Sequence, residues 1–423
     1  MAVLLRQATI IDPDSPYNGK TLDILFKHGA IKEIGNDLKP EGSVRIISPD
    51  SNENGSANKY FISPGFVDLF ADYREPGFEQ KETIATGLDT ALKGGFTEVF
   101  VLPNTQPVND SRAGIRYVLQ QSQDHKVLVH PLGAISQGID GKSLAEMMDM
   151  RAQGAIAFTD GWKPIQSSGL MLKALEYVKA FDGVVIQMPV DTSLSTGGLM
   201  HEGEQSTRLG MPGIPSLAES LMVHRDIELT RYSQSKLHIT GISTRESVAY
   251  IRAAKVEGVA VTCSVTPYHL LLTDTSISNY DSLYKVNPPL RTEDDRQALI
   301  EGLADGTIDC IASHHRPQDW DAKAREFEYA GDGMAVQEIV FPLVVKAVGG
   351  AVSLERIIDA LTIAPRRIFG LKPLSLREQE SGGFCLYQID QSLRFSTQSS
   401  PSLSRNNPFD GITLSGNILQ IIF

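Results

Sequence analysis

The sequence predicts an α/β protein: a (β/α)8 barrel with a small β domain assembled from the two ends of the chain. Three observations point there. Eight apolar, β-branched runs alternate with helix-compatible segments through the middle of the chain. Both ends carry short β-like runs that cannot bury much apolar surface alone. The first strand of the middle lacks the GxGxxG turn of an open, doubly wound sheet, and eight units is the number that closes a barrel.

At the N-terminus, Val3–Ile11 and Leu22–Phe26 read as strands broken by Asp-Pro and Asn-Gly, and Asp50–Lys59 reads as a polar surface loop. The barrel strands are expected at Gly65–Phe70, Phe96–Leu102, Val127–Ile135 and Ala155–Thr159, then at Gly183–Met188, Lys236–Ile242, Gly258–Val265 and Thr307–Ser313. Helices fit Glu79–Lys93, Ser216–Tyr232, Thr244–Glu257 and Glu293–Ala304, with Ser243 as the expected cap of the third. Gly94-Gly95 stands where a helix-terminating glycine belongs. Phe384–Ile389 and Ile418–Phe423 are the C-terminal strands. The expected division is residues 1–62 with 371–423 for the composite β domain, and 63–370 for the barrel.

Composition narrows the class. In 423 residues, 41% hydrophobic and 21% charged with 22 Pro and 36 Gly, disorder, collagen and coiled coil are excluded. Lys plus Arg number 39 against 51 Asp plus Glu, a formal charge of -12, which disfavours a nucleic-acid partner. Cys263, Cys310 and Cys385 lie far apart in apolar contexts, as expected of buried thiols in a reducing cytoplasm. The first residues lack the pattern of a signal peptide, and no run approaches the roughly 18 apolar residues of a membrane span. A cytoplasmic chain without a membrane partner is the expectation.

In a barrel, chemistry sits where strands end. Strand one ends in Pro64-Gly65-Phe66-Val67-Asp68-Leu69-Phe70-Ala71-Asp72-Tyr73-Arg74-Glu75-Pro76-Gly77, and strand two in Leu102-Pro103-Asn104-Thr105-Gln106-Pro107-Val108. Later come Val265-Thr266-Pro267-Tyr268-His269, Lys285-Val286-Asn287-Pro288-Pro289-Leu290-Arg291 and Asn407-Pro408-Phe409-Asp410-Gly411. In this order and spacing, over essentially the whole chain, they resemble the dihydroorotases of the cyclic amidohydrolase family. The resemblance implies an amidohydrolase-type TIM barrel and reversible hydrolysis of the dihydroorotate ring to carbamoyl aspartate in pyrimidine synthesis. Metal ions would make hydroxide and polarise the ring carbonyl, and a carboxylate would shuttle the proton.

Family members bind metal through His-x-His after strand one, an Asp after strand four, a His after each of strands five and six, and a proton-shuttling Asp after strand eight. Here those positions hold Phe70 and Asp72, Asp160, Gln187, Gly241 and His314. Phenylalanine cannot ligate, glycine has no side chain, and an amide is a poor zinc ligand. His238 is expected on the opposite strand face from position 241, so it does not substitute. The family's Asp-His-Ala-Pro-His run reads His314-His315-Arg316-Pro317-Gln318.

No metal and no catalytic group are therefore expected, and the chain reads as a pseudoenzyme. In this family such chains serve as homodimeric structural partners of aspartate carbamoyltransferase. The alternative is an active cyclic amide hydrolase with one zinc held by Asp72, Asp160 and His314. Asp160 could instead accept hydrogen bonds from βα-loop amides. Arg74 and Asn104 match the positions that grip the substrate carboxylate; they could equally shape turns at the barrel mouth, or hold dihydroorotate or carbamoyl aspartate without converting it. Lys285–Pro289 is expected to be a rigid loop, Trp162 and Trp320 loop packing, Gly197-Gly198 a mobile loop, and the adjacent His314 and His315 to point opposite ways.

Overall fold

The computed structural model describes residues 2–49 and 59–423. The polar loop expected at 50–59 lies, apart from Lys59, outside them. Five strands open the chain: β1 (Ala2–Ile10), β2 (Thr21–Lys27), β3 (Ala30–Gly35), β4 (Val44–Ile47) and β5 (Tyr60–Pro64). The barrel region follows with β6 (Phe66–Ala71), β7 (Phe96–Val101), β8 (Leu128–Pro131) and β9 (Val184–Gln187). A two-residue pair, β10 (Met200–His201) and β11 (Gly213–Ile214), precedes β12 (Lys236–Thr240), β13 (Val261–Val265) and β14 (Cys310–Ile311). The chain closes with β15 (Phe384–Arg394) and β16 (Thr413–Ile422).

Strands from the two ends pair, as their lack of individual apolar content requires. The sheet order is β16-β15-β5-β1-β2-β3, with β4 on β1, and β15 runs antiparallel to β5 through Phe384↔Pro64 and Leu386↔Ile62. Leu5, Ile24, Ile62, Phe384 and Leu386 bury one face of that sheet.

The barrel is closed more loosely than an even run of eight strands would suggest. Its wall consists of two parallel arcs, β6-β7-β8 and β14-β13-β12-β9. Single bridges join them, at Gly133↔Phe158↔Val185 on one side and Ala71↔His315 on the other. The expected fourth strand, Ala155–Thr159, is irregular: Phe158 carries its bridges, and Ile156, Phe158 and Thr159 donate backbone bonds to the carbonyls of Pro131, Val184 and Gly133. Past Thr159 the pairing stops, where the Ile135 and Ser136 amides donate to the Asp160 carboxylate at 2.8 and 2.9 Å. Several other strands are shorter than expected, the eighth being only Cys310–Ile311.

Val67, Leu69, Phe100, Ala157, Ile186 and Ala312 share an apolar cluster inside the wall, closed by Phe369 at the N-terminal ends of the strands. A larger shell, including Leu88, Val99, Val118, Val185 and Ile251, glues the strands to the surrounding helices. Each fully buried aliphatic or aromatic side chain contributes about 1.5–3 kcal/mol. The helix Ile84–Lys93 is capped by Thr83, whose hydroxyl accepts from the Thr86 amide at 3.1 Å, and ends at Gly94. The helix Arg245–Val256 is capped by Thr244, not by Ser243. Ser243 is claimed elsewhere: its amide and hydroxyl both donate to Glu219. The three cysteines are free and buried. No helix among the described residues is long and apolar enough to cross a membrane.

Candidate functional site

At the C-terminal end of β6, Phe70 turns its ring onto His314, centroids 4.4 Å apart and planes at 26°. Trp162, from the loop after Asp160, meets Phe70 edge-on at 5.0 Å and His314 edge-on at 5.6 Å. The three rings fill the space between the ends of strands one, four and eight. Trp162 also donates Nε1–H to Asp72 Oδ2 at 2.7 Å, and Arg74 Nη1 stands 3.2 Å from the same oxygen. Asp72 Oδ1 is buried without a partner.

His314 has a left-handed backbone, φ 47°. Its Nε2 shares a hydrogen bond of 2.7 Å with Thr240 Oγ1, and its Nδ1 is buried without a partner. Burial, reinforced by His269, His238 and Arg316, holds its pKa well below the usual imidazole range, so the ring is neutral. Gly241 has φ 70°, and a Cβ there would stand 2.4 Å from the His314 ring. An imidazole at position 241 is therefore incompatible with His314 where it lies.

The remaining positions are committed to the backbone. Gln187 accepts from the Ile165 amide at 3.3 Å and donates to its carbonyl at 3.1 Å. Asp160 takes the Ile135 and Ser136 amides on Oδ1 and the Ser136 hydroxyl on Oδ2. Burial pushes its carboxyl up to about 6 against the pull of those bonds. Asn104 donates to the Asp160 carbonyl at 3.1 Å and accepts from the Trp162 amide at 3.3 Å, a turn-shaping arrangement. The donor set thus does not fit a metal centre. Asp72, Asp160 and His314 are not assembled as a ligand trio, and among the described residues no group of three or more His, Cys, Asp or Glu side chains is arranged to hold a metal.

Comparisons with known proteins place this geometry. Residues 59–247 match the family model described as Dihydro-orotase-like. A dihydroorotase of Acetivibrio thermocellus is 39% identical over 98% of this chain and 96% of its own length. One from Syntrophus aciditrophicus is 38% identical over 100% and 98%. This chain belongs to the dihydroorotase family. Among solved structures, the L-hydantoinase (dihydropyrimidinase) of Arthrobacter aurescens superimposes with a TM-score of 0.85 at 21% identity, over 99% of this chain and 94% of that one. The dihydropyrimidinase of Brevibacillus agri gives 0.81 at 18%, over 100% and 94%. At those identities the likeness concerns the fold: a TIM barrel with a β domain.

Within that family fold, the other residues read from the sequence fall as follows. His315 turns away from His314, its Nε2 3.6 Å from Glu82 and its ring edge-on to Tyr73. His238 lies inside the barrel, bonded to Thr262 and Ser264 at 2.9 and 3.0 Å. Lys285 donates to the carbonyls of Phe327 and Glu328, a scaffolding role. Trp320 is 80% exposed and packs little, contrary to expectation, because it opens a one-turn helix on the rim. Arg74 lines a cavity of about 720 Å³ at the mouth together with Lys81, Arg316 and Arg325. Those last three were not singled out from the sequence. The available signal was Arg316, a cation where the family run has alanine.

Proposed function

We propose that this dihydroorotase-family chain no longer performs metal-dependent ring hydrolysis, and that it acts in pyrimidine biosynthesis as a homodimeric structural partner of aspartate carbamoyltransferase. The observation that carries the first part is the packed Phe70, Trp162 and His314 rings, which occupy the place where ligands would have to converge. The pathway is supported by the names of the relatives, and the partnership by the family behaviour of chains that have lost their ligands. Metal content by mass spectrometry, with dihydroorotate turnover on the same protein, tests it. Metal far below one per chain and no turnover are expected, followed by co-purification with the carbamoyltransferase. Turnover that a chelator abolishes would overturn it.

A second reading, the active hydrolase with one zinc, draws on one observation: Asp72 Oδ1 and His314 Nδ1 are both buried without partners. Two such atoms fall short of the three protein ligands of a mononuclear zinc. Near-stoichiometric zinc that disappears in Asp72→Ala would establish this reading in place of the first.

A further inference from the structure

The cavity at the barrel mouth differs in charge from the rest of the molecule. The chain carries a formal charge of -12, yet five basic side chains line this cavity against three acidic ones. Three of the basic groups crowd one corner, where Arg74 has Asp72 at 3.2 Å and the others have few partners. Arg74 and Arg316 each keep a buried Nε without a hydrogen-bond acceptor. The Arg316 guanidinium lies 4.3 Å over the Trp162 ring, and its carboxylate neighbour Asp332 stands at 3.8 Å, beyond hydrogen-bond range. Lys81 donates to Gln318 Oε1 at 2.7 Å. Burial, then the nearby Arg74 and Arg316, push its ammonium below the usual lysine range despite Asp319 and Asp72.

Two members of this corner replace the family residues of the strand-eight run, Arg316 for alanine and Gln318 for histidine. The corner has thus gained a fixed positive charge where the metal ligands were lost. Trp162 supports that charge from 4.3 Å, and Phe78 supports Arg74 from 5.8 Å.

We propose that Arg74, Lys81 and Arg316 form a binding site for a dianionic phosphate group, either free or as a phosphate monoester. This deepens the functional reading above and rests on its premise that the mouth holds no metal. A phosphate at pH 7 carries about -1.5 to -2 charges and three acceptor oxygens, against a surplus of two positive charges in the lining. Guanidinium forks bind phosphate bidentately and lysine adds a point charge. A single carboxylate brings one charge and two coplanar oxygens, fewer acceptors than the three oxygens a phosphate offers to the three cations. The cavity also has room for the organic part of an ester.

The test is titration of the full-length protein at low salt with inorganic phosphate, ribose 5-phosphate and succinate, by calorimetry and phosphorus NMR, on wild type, Arg316→Ala and Lys81→Met. Saturable one-to-one binding of a phosphate species is expected, weakened at least tenfold in each variant while the ligand-free melting temperature stays unchanged. Tighter binding of ribose 5-phosphate identifies the ester as the source; equal or tighter binding of inorganic phosphate identifies the free ion. The proposal is overturned if neither phosphate species saturates, if both variants bind like wild type, or if succinate binds as tightly. Should Arg316→Ala fail to fold, Lys81→Met at the cavity rim decides. Metal content measured on the same sample separates the two readings. Failed phosphate binding in metal-free, inactive protein overturns this inference alone, whereas zinc with turnover overturns the function proposed above.

Discussion

Asp68 and Asp72 leave the same strand four residues apart and illustrate two regimes, the barrel wall and the barrel mouth. In the wall, Asp68 Oδ1 accepts from the Ser313 amide at 2.9 Å, and its Oδ2 accepts from the Ser313 hydroxyl and from Gln337 Nε2 at 2.6 Å. This carboxylate stitches the first strand to the eighth across the closing seam. At the mouth, Asp72 has Trp162 and Arg74 on one oxygen and nothing on the other. Asp68 in the wall is satisfied on both oxygens, as buried polar groups generally are. The mouth leaves several of them open, and unsatisfied buried groups mark places where a fold serves something besides stability.

The largest effect should come from the wall. Asp68→Ala strands the Ser313 amide, the Ser313 hydroxyl and the Gln337 amide in a water-free seam, at roughly 3–5 kcal/mol in all. Asp72→Ala removes one indole bond and one ion pair, and Arg74 can then turn into the cavity, so about 1–2 kcal/mol is expected. Urea unfolding of both variants checks the ordering. Equal losses would break the contrast between wall and mouth.

The pH dependence of stability sharpens it next. Burial lowers the pKa of His201 and His269 to about 4 and of His238 to about 3, so all three are neutral when folded. Unfolded histidine titrates near 6.5. Between that value and about 4 the unfolded chain binds protons that the folded chain refuses, so stability falls as pH falls. At pH 5 each histidine removes roughly 2 kcal/mol. Asp160 and Asp226, both pushed up to about 6 by burial, act in the opposite direction. They take up protons in the folded state first, and each returns about 1 kcal/mol over the same interval. With His314, also held neutral by burial, acting in the same direction as the three histidines, a net loss of at least about 3–4 kcal/mol between pH 7 and pH 5 is expected from denaturant midpoints. His269→Gln should flatten that slope, because one of the four refusing groups is then gone.

How far the sequence carried this description depends on how local each signal is. The barrel, the alternation and the pairing of the two ends follow from β-branched runs and from end strands too short to stand alone. The fourth strand is present as backbone bonds around the bridged Phe158, and its irregularity leaves no mark in apolar periodicity. Ser243 looked like the cap of its helix because Glu219, which claims it, lies 24 residues away. The family pattern exposed the lost ligands one position at a time, and each substitution is a local fact. The cationic corner is not local: Arg74, Lys81 and Arg316 meet only once strands one and eight close the wall. Arg316 in place of alanine was the visible trace of it.

The chain's two tryptophans repeat the contrast in one residue type, and the exposed one carries the smallest expected effect. Trp162 is wedged between Phe70, His314 and Arg316 and donates to Asp72, whereas Trp320 is 80% exposed. Trp162→Ala should cost about 2–3 kcal/mol, below the range for fully enclosed aromatics because Trp162 is only half-buried. Trp320→Phe should change stability by no more than about 0.5 kcal/mol. The second variant is also the better probe, because its only remaining indole emission comes from Trp162. That emission should resist acrylamide quenching, and phosphate added to the cavity should alter it, since Arg316 lies directly over the ring. A Trp162 signal quenched as readily as that of free indole would mean that the aromatic plug is not closed in solution. The mouth would then be open to ligands that the stacked rings exclude.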